Sequence, residues 1–126
     1  MVSASSETHF VGLSMGGMIG QTFALKHPSM VKSLVLCDTT SRYPAAAAPV
    51  WEERIKTVGA KGMEPMVAGT LERWFTAPFR ARRPEVMERV GGMIRRTPPA
   101  GYIGCCHAIP KINVTERLKE LRVPGA

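Results

Sequence analysis

The chain has 126 residues, a length that allows one domain with a sizeable core but is too short for two independent cores. Hydrophobic residues make up 44% and charged residues 21%, a balance that fits a folded globular protein and excludes intrinsic disorder. The net charge of +7 can attract anions, nucleic acid or a membrane surface. Neither an aromatic platform nor zinc-finger spacing accompanies the basic residues, so nucleic acid is not the expected partner. A membrane is not an expected partner either, because no apolar stretch is long enough to span one. The basic clusters are interpreted as solvated helix surface, with anion or nucleic-acid binding as a minor hypothesis; they are Arg80, Arg82 and Arg83, and the pair Arg95-Arg96.

The three cysteines, Cys37, Cys105 and Cys106, do not form a disulfide framework and favour a reducing compartment. No Cys-x-x-Cys pair is present, so a zinc site of that type is not expected. Residues 1–7 lack the basic and apolar regions of a signal peptide, and the longest apolar stretch, Phe10 to Leu25, is interrupted by glycines. The sequence therefore predicts a cytoplasmic protein without a metal or a cofactor.

The first part of the chain predicts a strand, a helix and a second strand. Thr8 to Gly12 is a short β-prone run that ends in glycine. Ser14 to Lys26 has helical spacing and is closed by His27-Pro28. Val31 to Asp38 has the continuous apolar centre that is typical of a parallel strand buried on both faces. These elements form a βαβ unit with two parallel strands, which places the chain in the α/β class.

The rest of the chain predicts helices. Thr39 to Pro49 has the composition of a linker. Pro84 and the pair Pro98-Pro99 are expected to open two of the helices that follow, and Thr115 is a candidate N-cap for a short last helix. Four amphipathic stripes are interpreted as core; they contain Trp51, Ile55 and Val58, then Met63, Met66, Val67, Leu71 and Trp74, then Val86, Val90, Met93 and Ile94, and finally Tyr102, Cys105, Cys106 and Ile109.

Residues 12–16 read Gly-Leu-Ser-Met-Gly and match the nucleophile-elbow pattern between a predicted strand and a predicted helix. Such a sharp turn holds the apex residue, here Ser14, in a strained backbone conformation. Gly12 and Gly16 are expected to remove the collisions that side chains would cause on either side of the apex, and Gly17 allows further close approach. Ser14 is the predicted nucleophile, and the N–H of Met15 is a predicted oxyanion donor at the positive end of a helix. The alternative is a glycine-rich helix start with a capping serine.

At these residues the chain resembles the α/β-hydrolase superfamily, and most closely the 3-oxoadipate enol-lactonase group. The strings that carry this resemblance are His9 to Gln21, Arg73 to Thr76 and Gly101 to Ile109. The resemblance implies that Ser14 is the family nucleophile and Met15 the oxyanion donor that follows it. A serine at the apex, where dehalogenases and epoxide hydrolases carry aspartate, points to a small ester or lactone as substrate.

The resemblance also implies a partial α/β-hydrolase fold with three parts. Residues 1–44 would form the core βαβ unit with the elbow, residues 45–115 a helical cap, and residues 116–126 a return segment towards a further strand. Trp74 and Tyr102 lie in segments of the cap, where they are expected either to line the substrate pocket or to take plain core roles.

A hydrolase of this superfamily also needs an acid and a histidine, which follow the nucleophile in the order Ser, acid, His. Both would come after the cap, so the chain is expected to be an internal fragment of a longer hydrolase, with little Ser14-dependent turnover alone. His9 and His27 are too far along their elements to reach the apex. His107 lies in the cap, and Asp38 either takes the place of the acid or orients a loop.

A second hypothesis is a non-catalytic binding or assembly module derived from a hydrolase. Two parallel strands have open edges and an exposed apolar surface, which promote association with another copy of the chain. Self-association without esterase activity would favour this interpretation over the first.

Overall fold

The computed structural model describes residues 7–123 of the chain. The described residues form two compact units. The first unit contains residues 7–45 and 109–123, and the second contains residues 46–108.

The first unit is built on a two-stranded parallel sheet. Strand β1 (Thr8–Leu13) leads into helix α1 (Met15–Lys26), and a 3-10 turn at Pro28–Met30 returns the chain to strand β2 (Val31–Cys37). The strands pair in parallel with Leu13 opposite Cys37, so both carboxyl ends lie at the same edge. The α/β class, the strand–helix–strand order and the parallel pairing are as the sequence predicts.

Helix α1 packs closely on one face of the sheet. A Cβ atom built on Gly20 would lie 2.8 Å from Phe10 and 2.9 Å from Leu34, so only glycine allows the helix to approach the strands at this point. On β1, the side chains of Val11 and Leu13 are 69% and 66% exposed. The prediction that the second strand, β2, is buried on both faces is wrong for the described residues. Val31 and Leu34 are buried, but the other side chains from Ser33 to Cys37 remain partly exposed.

The segment after the second unit returns to the first. Asn113 forms an isolated antiparallel bridge with Arg42, and the Val114 N–H donates to the Ser41 carbonyl at 2.9 Å. The predicted role of Thr115 as a helix N-cap is wrong, because Thr115–Glu120 is a 3-10 helix and Thr115 is its first residue. Its hydroxyl lies 2.6 Å from the Ser41 hydroxyl and therefore joins two segments instead of capping a helix.

The second unit is helical and has its own small core. Its helices are α2 (Ala48–Lys61), α3 (Val67–Trp74), α4 (Ala77–Arg82), α5 (Pro84–Arg96) and α6 (Pro99–Ala108). Proline opens α5 and α6 as predicted, whereas α4 was not expected. The core consists of the buried side chains Val58, Met63, Val67 and Ile94. None of the helices in residues 7–123 combines the length and the apolar character that a membrane crossing requires.

Two arginines of the basic clusters bind partners in other segments of the second unit. The Arg80 guanidinium donates to the Phe75 carbonyl at 2.7 Å and so satisfies a carbonyl left free where α3 ends. Arg95 binds both carboxylate oxygens of Glu64, at 2.7 and 3.3 Å. Arg95 and Glu64 are both exposed, so the solvated-surface interpretation holds for Arg95. It is wrong for Arg80, which is partly buried against the end of α3.

Candidate active site

Ser14 is the single residue between the end of β1 and the start of α1. Its backbone has φ 52° and ψ −115°, and within residues 7–123 only Ser14 and Asp38 are non-glycine residues with positive φ. This conformation is sparsely populated by residues with a side chain and stores strain. The Ser14 N–H donates to the Cys37 carbonyl at 2.9 Å, which ties the turn to the end of the neighbouring strand. The serine side chain is exposed at this turn.

The glycines around Ser14 have unequal roles. A Cβ atom on Gly12 would overlap the Gly16 carbonyl and lie 2.6 Å from the Gly17 nitrogen, so the strand and the helix meet here through backbone alone. A Cβ atom on Gly17 would lie 2.6 Å from the side chain of Thr39. At Gly16, by contrast, no described atom outside the adjoining residues and the backbone of its own helix lies within 4 Å of such a Cβ. The predicted collision at Gly16 is therefore wrong: its backbone, and not its missing side chain, makes the close contact with Gly12.

The peptide group between Ser14 and Met15 has a carbonyl with three hydrogen-bond donors and an N–H without an acceptor among the described residues. The Ser14 carbonyl accepts hydrogen bonds from the Gly17 N–H at 3.0 Å, the Met18 N–H at 3.2 Å and the Thr39 hydroxyl at 2.6 Å. In the described part of the chain no acceptor is found for the N–H of Met15, as is usual for the first N–H groups of a helix. This N–H lies at the positive end of the helix dipole and next to the exposed serine, where a developing negative charge is stabilised.

Two side chains that the sequence pattern does not mark as functional, Thr39 and Gln21, attach the loop after β2 to the elbow. Thr39 was assigned to a linker, yet it packs on Gly17 and donates to Ser14. Gln21 is fully buried in α1, and its amide donates to the Gly17 carbonyl at 3.2 Å and to the Thr40 carbonyl at 3.1 Å. A buried polar side chain requires such partners. A glutamine within an apolar helix is therefore the sequence feature that indicates a hydrogen-bonded contact here.

The structure separates the histidines of the first unit from Ser14. His9 is five positions before Ser14 along an extended strand, roughly 16 Å away, and its Nδ1 lies 2.6 Å from the Ser33 hydroxyl. His27 follows the end of α1, roughly 18 Å from the start of that helix. His107 belongs to α6 in the second unit. Asp38 directly follows Cys37, the partner of Leu13, so Asp38 and Ser14 occupy equivalent positions at the carboxyl edge of the sheet.

The two aromatic candidates for a substrate pocket both lie in the second unit. Tyr102 packs against the core of that unit and is partly buried. Burial, together with the nearby Cys106 thiol, raises the pKa of the Tyr102 hydroxyl. Trp74 is the last residue of α3 and is largely exposed. The predicted role in the core therefore holds for Tyr102 and is wrong for Trp74.

Comparisons with known proteins agree with the geometry of the elbow. A family model described as the alpha/beta hydrolase fold matches residues 5–94. The chain is 30% identical over 115 residues to 3-oxoadipate enol-lactonase 2 of Acinetobacter baylyi, a match that covers 91% of this chain and 42% of that protein. The chain thus spans less than half the length of this relative.

Solved structures give the same result. The enol-lactonase of Burkholderia xenovorans superimposes with a TM-score of 0.88 at 30% identity and covers 95% of this chain and 45% of its own length. A thermophilic esterase of Thermogutta terrifontis superimposes with a TM-score of 0.87 at 26% identity, with the same coverage. The resemblance that residues 9–21 suggested is confirmed by these matches, and the chain corresponds to part of the relatives' length.

Proposed function

Because the chain belongs to the α/β-hydrolase fold family, we propose that its elbow supplies the nucleophile of a carboxylic ester or lactone hydrolase. The observation that carries the proposal is Ser14, whose strained backbone holds an exposed hydroxyl at the strand-to-helix turn, next to the free N–H of Met15. A capping serine would have β-region dihedral angles and a side-chain hydrogen bond to the first turn. Ser14 has neither, so the capping alternative does not account for its conformation.

In the proposed reaction the Ser14 hydroxyl oxygen attacks the ester or lactone carbonyl. A base takes the hydroxyl proton, and the negative charge that develops on the carbonyl oxygen is stabilised by the Met15 N–H and the helix dipole. The carbon–oxygen bond to the leaving group then breaks and gives an acyl-serine, which water hydrolyses in a second step. No histidine of the first unit contacts Ser14 in the described residues, so we expect little turnover from this chain alone.

An enol-lactone is the substrate class that we favour. Both the Acinetobacter relative and the Burkholderia structure carry the name of an enol-lactonase. Cleavage of an enol ester releases an enol, which is a better leaving group than a simple alcohol and rearranges to a ketone. A better leaving group makes the acylation of Ser14 easier.

The test is acylation of Ser14 with an external base. The folded chain is treated with p-nitrophenyl acetate, with and without added imidazole, and the acetyl group is located by peptide mass spectrometry. We expect the adduct on Ser14 and about a tenfold faster acylation with imidazole, because general-base assistance is the part that the elbow lacks. Imidazole cleaves the ester by itself, so the covalent adduct and not nitrophenol release is the measurement.

Ser33 provides the matched control, because its hydroxyl already contacts an imidazole, that of His9. The Ser14→Ala chain is expected to lose the adduct, and the Ser33→Ala chain to keep it. An adduct that maps to Ser33, or an unmodified Ser14 in a folded chain, would contradict the proposal.

A second candidate function, self-association, rests on the exposed apolar side chains of β1. Val11 and Leu13 are two-thirds exposed on a strand whose sheet contains only two strands within the described residues. Exposed apolar strands promote pairing with another chain. In this alternative the protein is a binding or assembly module and a second copy covers β1.

Sedimentation velocity of Val11→Lys and Val50→Lys chains tests this alternative. Both valines are exposed, at 69% and 52%, and both substitutions add one positive charge, but Val50 lies on α2 of the other unit. If β1 mediates association, Val11→Lys shifts the chain towards monomer and Val50→Lys does not. Equal sedimentation of the two variants and the unsubstituted chain would contradict a role for β1.

A further inference from the structure

The Ser14 carbonyl receives one hydrogen bond that a helix start does not require. As the residue before the helix, Ser14 normally accepts from N–H groups of the first turn, and it does so from Gly17 and Met18. The third and shortest bond, 2.6 Å, comes from the hydroxyl of Thr39, which is 25 residues away in the chain. A carbonyl that already has its helical partners is thus fixed from outside the helix.

This carbonyl and the proposed oxyanion donor belong to the same peptide group. The carbonyl of Ser14 and the N–H of Met15 lie in one plane and point in opposite directions, because the peptide bond is planar and trans. A donor that fixes the carbonyl therefore fixes the direction of the N–H. It also draws electron density from the amide and makes the N–H a stronger donor.

We propose that Thr39 is a positioning residue that aims and polarises the Met15 N–H through the shared peptide group. The inference rests on the proposed function of that N–H as an oxyanion donor. Thr39 does not touch the reacting atoms in this proposal; it acts from the opposite end of the amide.

The residues around Thr39 hold its hydroxyl in this position. Asp38 has φ 41°, a left-handed conformation that turns the chain at the end of β2 directly before Thr39. The absence of a side chain at Gly17 leaves the space that the Thr39 side chain fills. On its other side, Thr40 is held through its carbonyl by the buried amide of Gln21. The loop is therefore anchored before, at and after the hydroxyl.

The first experiment measures the peptide group itself by NMR of the 126-residue chain. Thr39→Val keeps the shape of the side chain and its packing on Gly17 but removes the donor, whereas Thr39→Ser keeps the donor. A hydrogen bond to a carbonyl deshields both the carbonyl carbon and the adjoining amide nitrogen. We expect upfield shifts of the Ser14 carbonyl carbon and the Met15 nitrogen in Thr39→Val, and resonances close to those of the unsubstituted chain in Thr39→Ser.

The control is Thr40→Val, the same chemical change one residue along. The Thr40 hydroxyl bonds to the Arg42 carbonyl at 2.9 Å and not to the elbow, so the Met15 resonance is expected to stay in place. Unchanged Ser14 and Met15 resonances in Thr39→Val would overturn the proposal. If Thr39→Val does not fold, Thr39→Ser is compared with Thr39→Cys, whose side chain has a similar size but is only a weak donor. Equal Met15 resonances in these two variants would also overturn the proposal.

The second experiment measures acylation of Ser14 with p-nitrophenyl acetate and imidazole, as above. We expect Thr39→Val to lower the maximal acylation rate about tenfold with little change in the half-saturating ester concentration, less than the loss of an entire oxyanion donor. Thr39→Ser is expected to restore the rate. Shifted Met15 resonances with an unchanged rate would overturn the positioning role. If Ser14 is not acylated at all, the proposed function fails, and the NMR comparison still decides whether Thr39 controls this peptide group.

Discussion

The two units of this chain fix their residues in different ways. In the first unit, Ser14 is positioned by backbone: Gly12 lies directly against the Gly16 carbonyl, and hydrogen bonds join the ends of neighbouring elements. In the second unit, buried apolar side chains such as Val58 and Ile94 hold the helices together. Apolar side chains of similar volume often replace one another in a core, but a contact between two backbones leaves no room for even one methyl group. The units should therefore respond differently to small substitutions.

The chain carries separate reporters for the two units. Both of its tryptophans, Trp51 and Trp74, lie in the second unit, so tryptophan fluorescence follows the helices. Amide hydrogen exchange of β1 and α1 follows the first unit. Measuring both signals in each variant shows which unit a substitution affects.

The largest effect is expected for Gly12→Ala. The new methyl group would overlap backbone atoms of Gly16 and Gly17, which cannot move aside as a flexible side chain can. We expect a loss of about 3–5 kcal/mol, enough to abolish exchange protection in β1 and α1. Hydrogen exchange of the first unit is the measurement, and unchanged tryptophan fluorescence shows that the second unit is intact.

Gly16→Ala is the matched control, two residues past the apex of the same turn. Outside its own helix backbone and adjoining residues, no described atom lies within 4 Å of the new methyl group, and alanine favours a helix over glycine. The variant is expected to be at least as stable as the unsubstituted chain, with a gain of at most about 1 kcal/mol. Equal losses in Gly12→Ala and Gly16→Ala would contradict the asymmetry of the elbow.

A smaller effect is expected for Ile94→Ala in the second unit. Ile94 is 7% exposed and packs with Val58, Met63 and Val67, so its truncation removes apolar contacts and leaves a cavity. We expect a loss of about 2–4 kcal/mol in urea unfolding followed by tryptophan fluorescence.

The neighbouring Met93, at 59% exposed, provides the control for this core substitution. Met93→Ala is expected to change the free energy of unfolding by at most about 0.5 kcal/mol. Comparable losses in Ile94→Ala and Met93→Ala would show that the second unit lacks the side-chain core described above.

The smallest effect is expected from pH. Burial raises the pKa of the Cys106 thiol and of the Tyr102 hydroxyl, so both groups bind their protons more tightly in the folded unit than in the unfolded chain. Their contribution to stability is complete below the ordinary thiol pKa and is lost as the pH rises through the raised values. The free energy of unfolding of the second unit is therefore expected to fall as the pH rises above about 8.

Urea unfolding followed by tryptophan fluorescence at several pH values measures this decline. Cys106→Ala should make the first part of the decline shallower, and Cys105→Ala, at the less buried neighbouring position, should not. A free energy of unfolding that stays constant or rises over this range would contradict the assignment.

The sequence predicted the parts of the fold and of the site that depend on neighbours along the chain. The strand, the elbow and the following helix are all encoded within residues 8–26, where residue type and spacing act locally. Prolines marked the starts of α5 and α6 for the same reason. Features that need a distant partner were missed. Thr39 is 25 residues from Ser14, Arg95 is 31 residues from Glu64, and Thr115 is 74 residues from Ser41.

Residue type and spacing alone identify the residue at the apex of the turn and the elements that precede and follow it. The folded chain adds that the Ser14 carbonyl accepts a hydrogen bond from Thr39, and that Gly12 but not Gly16 must lack a side chain. The physical reason is that conformational preference and hydrophobic period act over a few residues. Contacts between backbones and hydrogen bonds across loops exist only after the chain has brought distant segments together.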